Sequence, residues 1–213
     1  EGYSGVELLQ EIREVFDTLS PDTQEKSAPY LKRPDDPESY WNQQFEQEAL
    51  DGEDKQQSNS LIPAAKAMRA KVYSESLVSA DEKVRIWYPK ADMSSKDIFG
   101  AGNVQVSASK AKAMAEKVKG YLDDDEIIQE YVDLMNRELI SDGNKGGDGK
   151  LDIYIAPIGS DLGICYLEGS LPNYSYILLN ITISNDKVLR TTLAHELFHS
   201  FQYLYKHDWD REY

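Results

Sequence analysis

Ser175-Tyr176-Ile177-Leu178-Leu179-Asn180-Ile181-Thr182-Ile183 runs directly into Ser184-Asn185-Asp186, and then into a stretch containing Ala194-His195-Glu196-Leu197-Phe198-His199-Ser200. The first segment is dense in aliphatic and β-branched residues and reads as the strongest strand in the chain. Ser184-Asn185-Asp186 offers side-chain oxygens for an N-cap, so a helix is expected from about Lys187 to Lys206. Val188, Thr192, His195, His199 and Gln202 share one stripe of that helix, and Leu193, Leu197, Phe201 and Leu204 share another. The apolar stripe is the side that packs on a core, which puts the histidines at the border of a cleft. A strand feeding such a helix fits an α+β fold.

The spacing within His195-Glu196-Leu197-Phe198-His199 carries chemistry. Residues four apart lie on one face of a helix, so both imidazoles can point at a single metal ion. Glu196 is rotated by about 100° from His195 and can reach a metal-bound water without ligating. Zinc brings the pKa of such a water towards neutrality, and a carboxylate can take its proton during attack on a carbonyl. The expected function is zinc-dependent hydrolysis of peptide bonds, with His195 and His199 as ligands and Glu196 as general base.

Bulk properties narrow the setting. The chain has 213 residues, 40% hydrophobic and 29% charged, as expected for a globular protein with a substantial core. A net charge of −15 argues against nucleic acid or an anionic membrane surface as partner. One cysteine, Cys165, excludes both an internal disulfide and a Cys-rich zinc site. No apolar run is long enough to span a bilayer. The chain begins at Glu1-Gly2-Tyr3 without a methionine, which reads as a processed product.

Upstream of the strand, Asp142-Gly143-Asn144-Lys145-Gly146-Gly147-Asp148-Gly149-Lys150-Leu151-Asp152 alternates short oxygen-bearing side chains with glycines. A hard-cation loop needs that composition, so Asp142, Asn144, Asp148 and Asp152 are candidate calcium ligands. The competing reading is a Gly/Asp-rich turn between a helix and a strand. Leu151 to Ala156 alternates with period two and reads as a strand, as does Val84 to Tyr88 before Pro89. Ala108 to Leu122 and Asp125 to Ile140 read as helices, with a break near Gly120 and the acidic run Asp123-Asp124-Asp125. Gly159 to Gly169, which contains Cys165, reads as a loop.

The N-terminal part is expected to be mainly helical. Ser4-Gly5-Val6-Glu7 is a capping box, followed by apolar residues at helical spacing as far as Leu19. Pro21 to Pro37 reads as a loop, with Lys32-Arg33 as an exposed basic pair, and short helices are expected over Glu38 to Leu50 and Pro63 to Val72. The organisation that follows is a helical region over residues 1–80 and a catalytic unit over residues 81–213.

Strand, strand and then a His-Glu-x-x-His helix resembles the catalytic half of the zincin metallopeptidases. The order from Ala101 to Lys206 further resembles secreted prokaryotic, gluzincin-like peptidases. The resemblance implies His195 and His199 as zinc ligands, Glu196 as general base, and a secreted location. It also implies a peptide or protein substrate paired with an edge strand, here Tyr176 to Ile183, with Tyr176, Leu178 and Asn180 along it. Catalytic zinc needs a third protein ligand. In gluzincins this is a glutamate twenty or more residues after the second histidine, whereas fourteen residues follow His199. Gln202 and Tyr205 stand where metzincins require Gly and His, which excludes that subfamily. His207 is the in-chain candidate by chemistry, with Asp208, Asp210 and Glu212 beside it. The resemblance favours a third ligand beyond Tyr213 and hence a chain that is inactive by itself. The alternative function is a non-catalytic binding or structural module on the same scaffold, stabilised by calcium.

Overall fold

Alternation of side chains across one sheet divides the buried residues into an aliphatic layer and an aromatic layer. The computed structural model describes residues 5–42, 72–96, 103–168 and 174–205. Two helices come first, α1 (Gly5–Val15) and α2 (Pro21–Leu31), followed by strands β1 (Tyr73–Val78), β2 (Val84–Pro89), β3 (Met93–Lys96) and β4 (Asn103–Val106). Helices α3 (Ala108–Asp124) and α4 (Ile127–Met135) lead to β5 (Leu151–Ala156), β6 (Gly163–Glu168), β7 (Tyr174–Asn180) and α5 (Asp186–Gln202).

The main sheet has the order β1-β2-β5-β7-β6, with β3 and β4 forming a separate hairpin. Strands β2, β5 and β7 are parallel, and the two flanking strands run antiparallel to their neighbours. All six residues of β5 are buried, because helices cover one face and the N-terminal segment covers the other. The register sets Ile86 beside Ile153 and Ile153 beside Ile177. These face α3, through Ala111, Met114 and Val118, and α5, through Leu189, Leu193, Leu197 and Phe201. On the opposite face Trp87, Tyr154, Tyr166 and Tyr176 cluster with Trp41, Val72 and Tyr73. The chain is therefore α+β, built on a mixed five-stranded sheet.

Several local expectations change. Pro21 to Leu31 is a helix rather than a loop: Ser20 caps it by accepting from the Thr23 N–H, and Pro21 fits the first turn, where no N–H is needed. Gly163 to Glu168 is a strand rather than a loop, with Ile164 and Tyr166 buried on one face and Cys165 on the other. Helix α3 passes through Gly120 unbroken; the break comes at Asp125 and Glu126, where Glu126 adopts a left-handed φ of 50°. A boundary near residue 80 falls inside the β1–β2 hairpin. The expected helix over Pro63 to Val72 lies outside the described residues but for Val72, as does most of that over Glu38 to Leu50. No helix among the described residues is long and apolar enough to cross a membrane.

Leu193, Leu197 and Phe201 are completely buried, and burial of each contributes about 1.5–3 kcal/mol. Leu197 lies in the middle of the His-Glu-x-x-His stretch, so the site helix is held by its own motif. Leu197→Ala should lower the unfolding free energy by about 2–5 kcal/mol in urea titration. A loss under about 1 kcal/mol would mean that α5 is not seated on the sheet through this face.

Candidate functional site

Helix α5 starts cleanly because the Asn185 side chain accepts from the N–H groups of Lys187 and Val188. Its far end is fixed by Tyr203, which is 1% exposed and donates its hydroxyl to the Cys165 carbonyl at 3.2 Å. Halfway along, Tyr131 of α4 donates to the Ala194 carbonyl at 2.8 Å and packs its ring against Phe198 and Phe201. These contacts bracket His195 and His199, so the backbone that carries them is set from three sides.

The two imidazoles converge. Their Nε2 atoms lie 3.0 Å apart, with the rings nearly perpendicular. Two nitrogens bound to one tetrahedral zinc at about 2.0–2.1 Å are about 3.3 Å apart, so little movement separates this pair from a ligating pair. Partial burial, and secondarily the neighbouring His199, lower the pKa of His195. Its neutral form, which a metal ligand requires, is thereby favoured at neutral pH. Among the described residues no group of three or more His, Cys, Asp or Glu is placed to hold a metal ion. His207, Asp208, Asp210 and Glu212 lie outside the described residues.

Glu196 is 6% exposed and turns towards the start of β6. A Cβ added at Gly163 would lie 2.6 Å from Glu196 Cγ, 2.7 Å from Glu196 Oε1 and 2.7 Å from Thr192 Cγ2. The glycine is what allows the strand to pass this close to the carboxylate. Sequence reading missed the pairing because the glycine-flanked segment looked like a loop; the alternation of Ile164 and Tyr166 with Cys165 and Leu167 was the signal.

The edge strand itself is corrected. Strand β7 is interior, between β5 and β6, and its Tyr176, Leu178 and Asn180 are all buried. They are core residues and cannot line a peptide. The edge is β6, where Leu162 accepts from the Asn180 N–H at 2.9 Å. The alternation of antiparallel pairs then directs the backbone groups of Gly163, Cys165 and Leu167 outward. Two of those three carbonyls have partners: Cys165 accepts from Tyr203, and Leu167 accepts from Arg13 at 2.8 Å. Gly163 is the outward position next to Glu196.

The candidate calcium residues do not converge on one point. Asp142 and Asp152 each accept from the same Arg33 Nη1 at 2.6 Å, and Glu168 accepts from Arg33 Nε at 3.0 Å. Asp148 is drawn away to Arg85 and Lys150, and both cations hold its carboxyl below the usual range against the effect of burial. Asn144, with φ 63°, shapes the turn instead. Arg33, read as half of an exposed basic pair, is 6% exposed and supplies the charge that a cation would.

Burial pushes the Asp152 carboxyl up to about 8 although Arg33 and Trp87 pull it down, and Asp142 is raised for the same first reason. Burial also opposes ionisation of Glu168, yet Arg33 and Lys145 hold its carboxyl below the usual range. Asp152 thus keeps a proton in the folded chain where the unfolded chain has lost it. The folded state binds more protons between about pH 4 and 8, so stability falls as pH rises through that window. In urea titrations at about pH 5 and pH 8, Asp152→Asn should lose clearly less stability between the two than the parent chain. An unchanged slope would assign the effect to other groups.

Compared with family models, curated proteins and solved structures, the chain gives no significant match to any of them. The function therefore rests on the geometry alone. That geometry makes a second prediction: Gly163→Ala should cost about 1–3 kcal/mol by overpacking, because Thr192 is stiff at χ1 and Glu196 must move. An unchanged melting temperature would show that Glu196 is not held against β6.

Proposed function

We propose that this chain carries the catalytic helix of a zincin-type zinc peptidase. The observation that carries the reading is the meeting of two imidazole Nε2 atoms at 3.0 Å beside a buried glutamate aimed at an edge strand. His195 and His199 would hold the zinc through Nε2, with the third ligand supplied from outside the described residues. Zinc, when bound, supplies a water of near-neutral pKa and polarises the scissile carbonyl.

The chain's own residues account for the remaining steps. Glu196 takes the proton of the attacking water on its carboxylate and gives it to the leaving amine nitrogen. The outward N–H and C=O of Gly163 pair with an extended peptide, which sets its backbone close to Glu196 irrespective of its sequence. Tyr203 and Arg13 occupy the next two outward carbonyls, so pairing is concentrated at the Gly163 end. The α+β arrangement, with a parallel centre and an antiparallel edge next to the site helix, suits this use.

Glu196→Gln tests the assignment. The variant should bind zinc as the parent does while peptide hydrolysis falls by about 10²–10⁴-fold or more, and His199→Ala should lose the zinc. These are measured by metal analysis of the dialysed protein and cleavage of a generic peptide mixture. Zinc held with a third ligand from this chain, yet without hydrolysis in the parent, would favour a binding or structural module. Hydrolysis that survives Glu196→Gln would remove the glutamate from its role.

A further inference from the structure

The described residues include one side chain that touches the candidate metal centre and that the catalytic reading leaves unused. Gln202, the last residue of α5, places its Oε1 2.8 Å from His199 Nδ1. We infer that Gln202 is a positioning residue: it holds the proton of His199 on Nδ1 and so presents Nε2, lone pair outward, to a divalent cation. The inference rests on the metal-centre reading above and adds the group that prepares one of its ligands.

Hydrogen-bond capacity decides which His199 nitrogen carries the proton. A carboxamide oxygen only accepts, so the 2.8 Å contact requires a proton on His199 Nδ1. A neutral imidazole carries a single N–H, which leaves His199 Nε2 bare. In the metal-free chain the 3.0 Å contact between the two Nε2 atoms is then a hydrogen bond donated by His195. Cation binding asks only His195 to move its proton, because His199 is already in the ligating tautomer.

Gln202 is itself well placed to hold this position. It precedes Tyr203, whose N–H bonds to the His199 and Phe201 carbonyls and whose hydroxyl is anchored on β6. The helix end cannot fray without breaking those bonds, so the three-residue spacing from His199 to Gln202 is maintained. Partners of this kind typically contribute about 10–100-fold to metal affinity, by fixing ring orientation and raising ligand basicity.

The test uses the full chain, zinc alone as probe, and two variants. Long-range ¹H–¹⁵N spectra of the metal-free protein should show His199 with its proton on Nδ1 in the parent, and a shift towards the Nε2–H form in Gln202→Leu. Competition with a chelator should show zinc binding weakened about 10–100-fold in Gln202→Leu. Gln202→Glu keeps an acceptor at the same place and should restore parental affinity or better. Unchanged circular dichroism would separate these effects from misfolding.

An Nε2–H tautomer of His199 in the parent, or parental tautomer and affinity in Gln202→Leu, would overturn the inference. Failure of the parent to bind zinc through His199, judged against His199→Ala, would instead defeat the metal-centre reading. The tautomer measurement needs no metal and still decides the role of Gln202.

Discussion

One guanidinium joins four separate parts of the chain. Arg33, just after α2, meets Asp142 and Asp152 at the two ends of the glycine-rich loop and Glu168 at the end of β6. Carboxyl groups this deeply buried can carry charge only beside a cation, since an ion removed from water costs several kcal/mol. Once Arg33 is in place, the loop closes, β5 and β6 are tied at one end, and the N-terminal segment becomes the cover of the aromatic face. That face is thereby sealed. The candidate site lies on the other side of the sheet, on α5.

Helix α5 reconciles two demands. It buries Leu189, Leu193, Leu197 and Phe201 against the sheet, and it carries two imidazoles on its less buried side, where we propose that a metal ion binds. Helical periodicity separates those faces by itself, and Glu196 sits at the boundary, buried yet next to the open strand. The contacts from Tyr131 and Tyr203 matter because a hydrogen-bonded pair of histidines at 3.0 Å tolerates little drift of the backbone.

The sequence revealed what is written in local periodicity. β2, β5, most of β7 and the site helix followed from alternation and from the Asn185 cap, and the two histidines from their spacing. It concealed what depends on distant partners. Arg33 looks like a surface residue until Asp142 and Asp152, more than a hundred positions away, take up its charge. For the same reason the sequence of the glycine-rich loop does not announce that Asp142 and Asp152 both meet Arg33. Strand β7 reads as an edge because nothing local announces that the glycine-flanked segment before it is a strand and lies outside it. Gln202 was visible on the histidine stripe, but its function depends on which of its amide atoms faces the ring.

The bond from Arg13 to the Leu167 carbonyl has a bearing on how copies of this protein meet one another. An exposed strand edge is a template on which another chain can build, and proteins that stay dispersed cover or charge such edges. Here the cover is an arginine 154 positions away in sequence, which also reaches back to the Leu31 carbonyl and so clips α1 to α2. Lifting the N-terminal helices would uncover a bare strand as well as a hydrophobic face. Arg13 thus holds closed one position at which a second strand could otherwise pair with this edge.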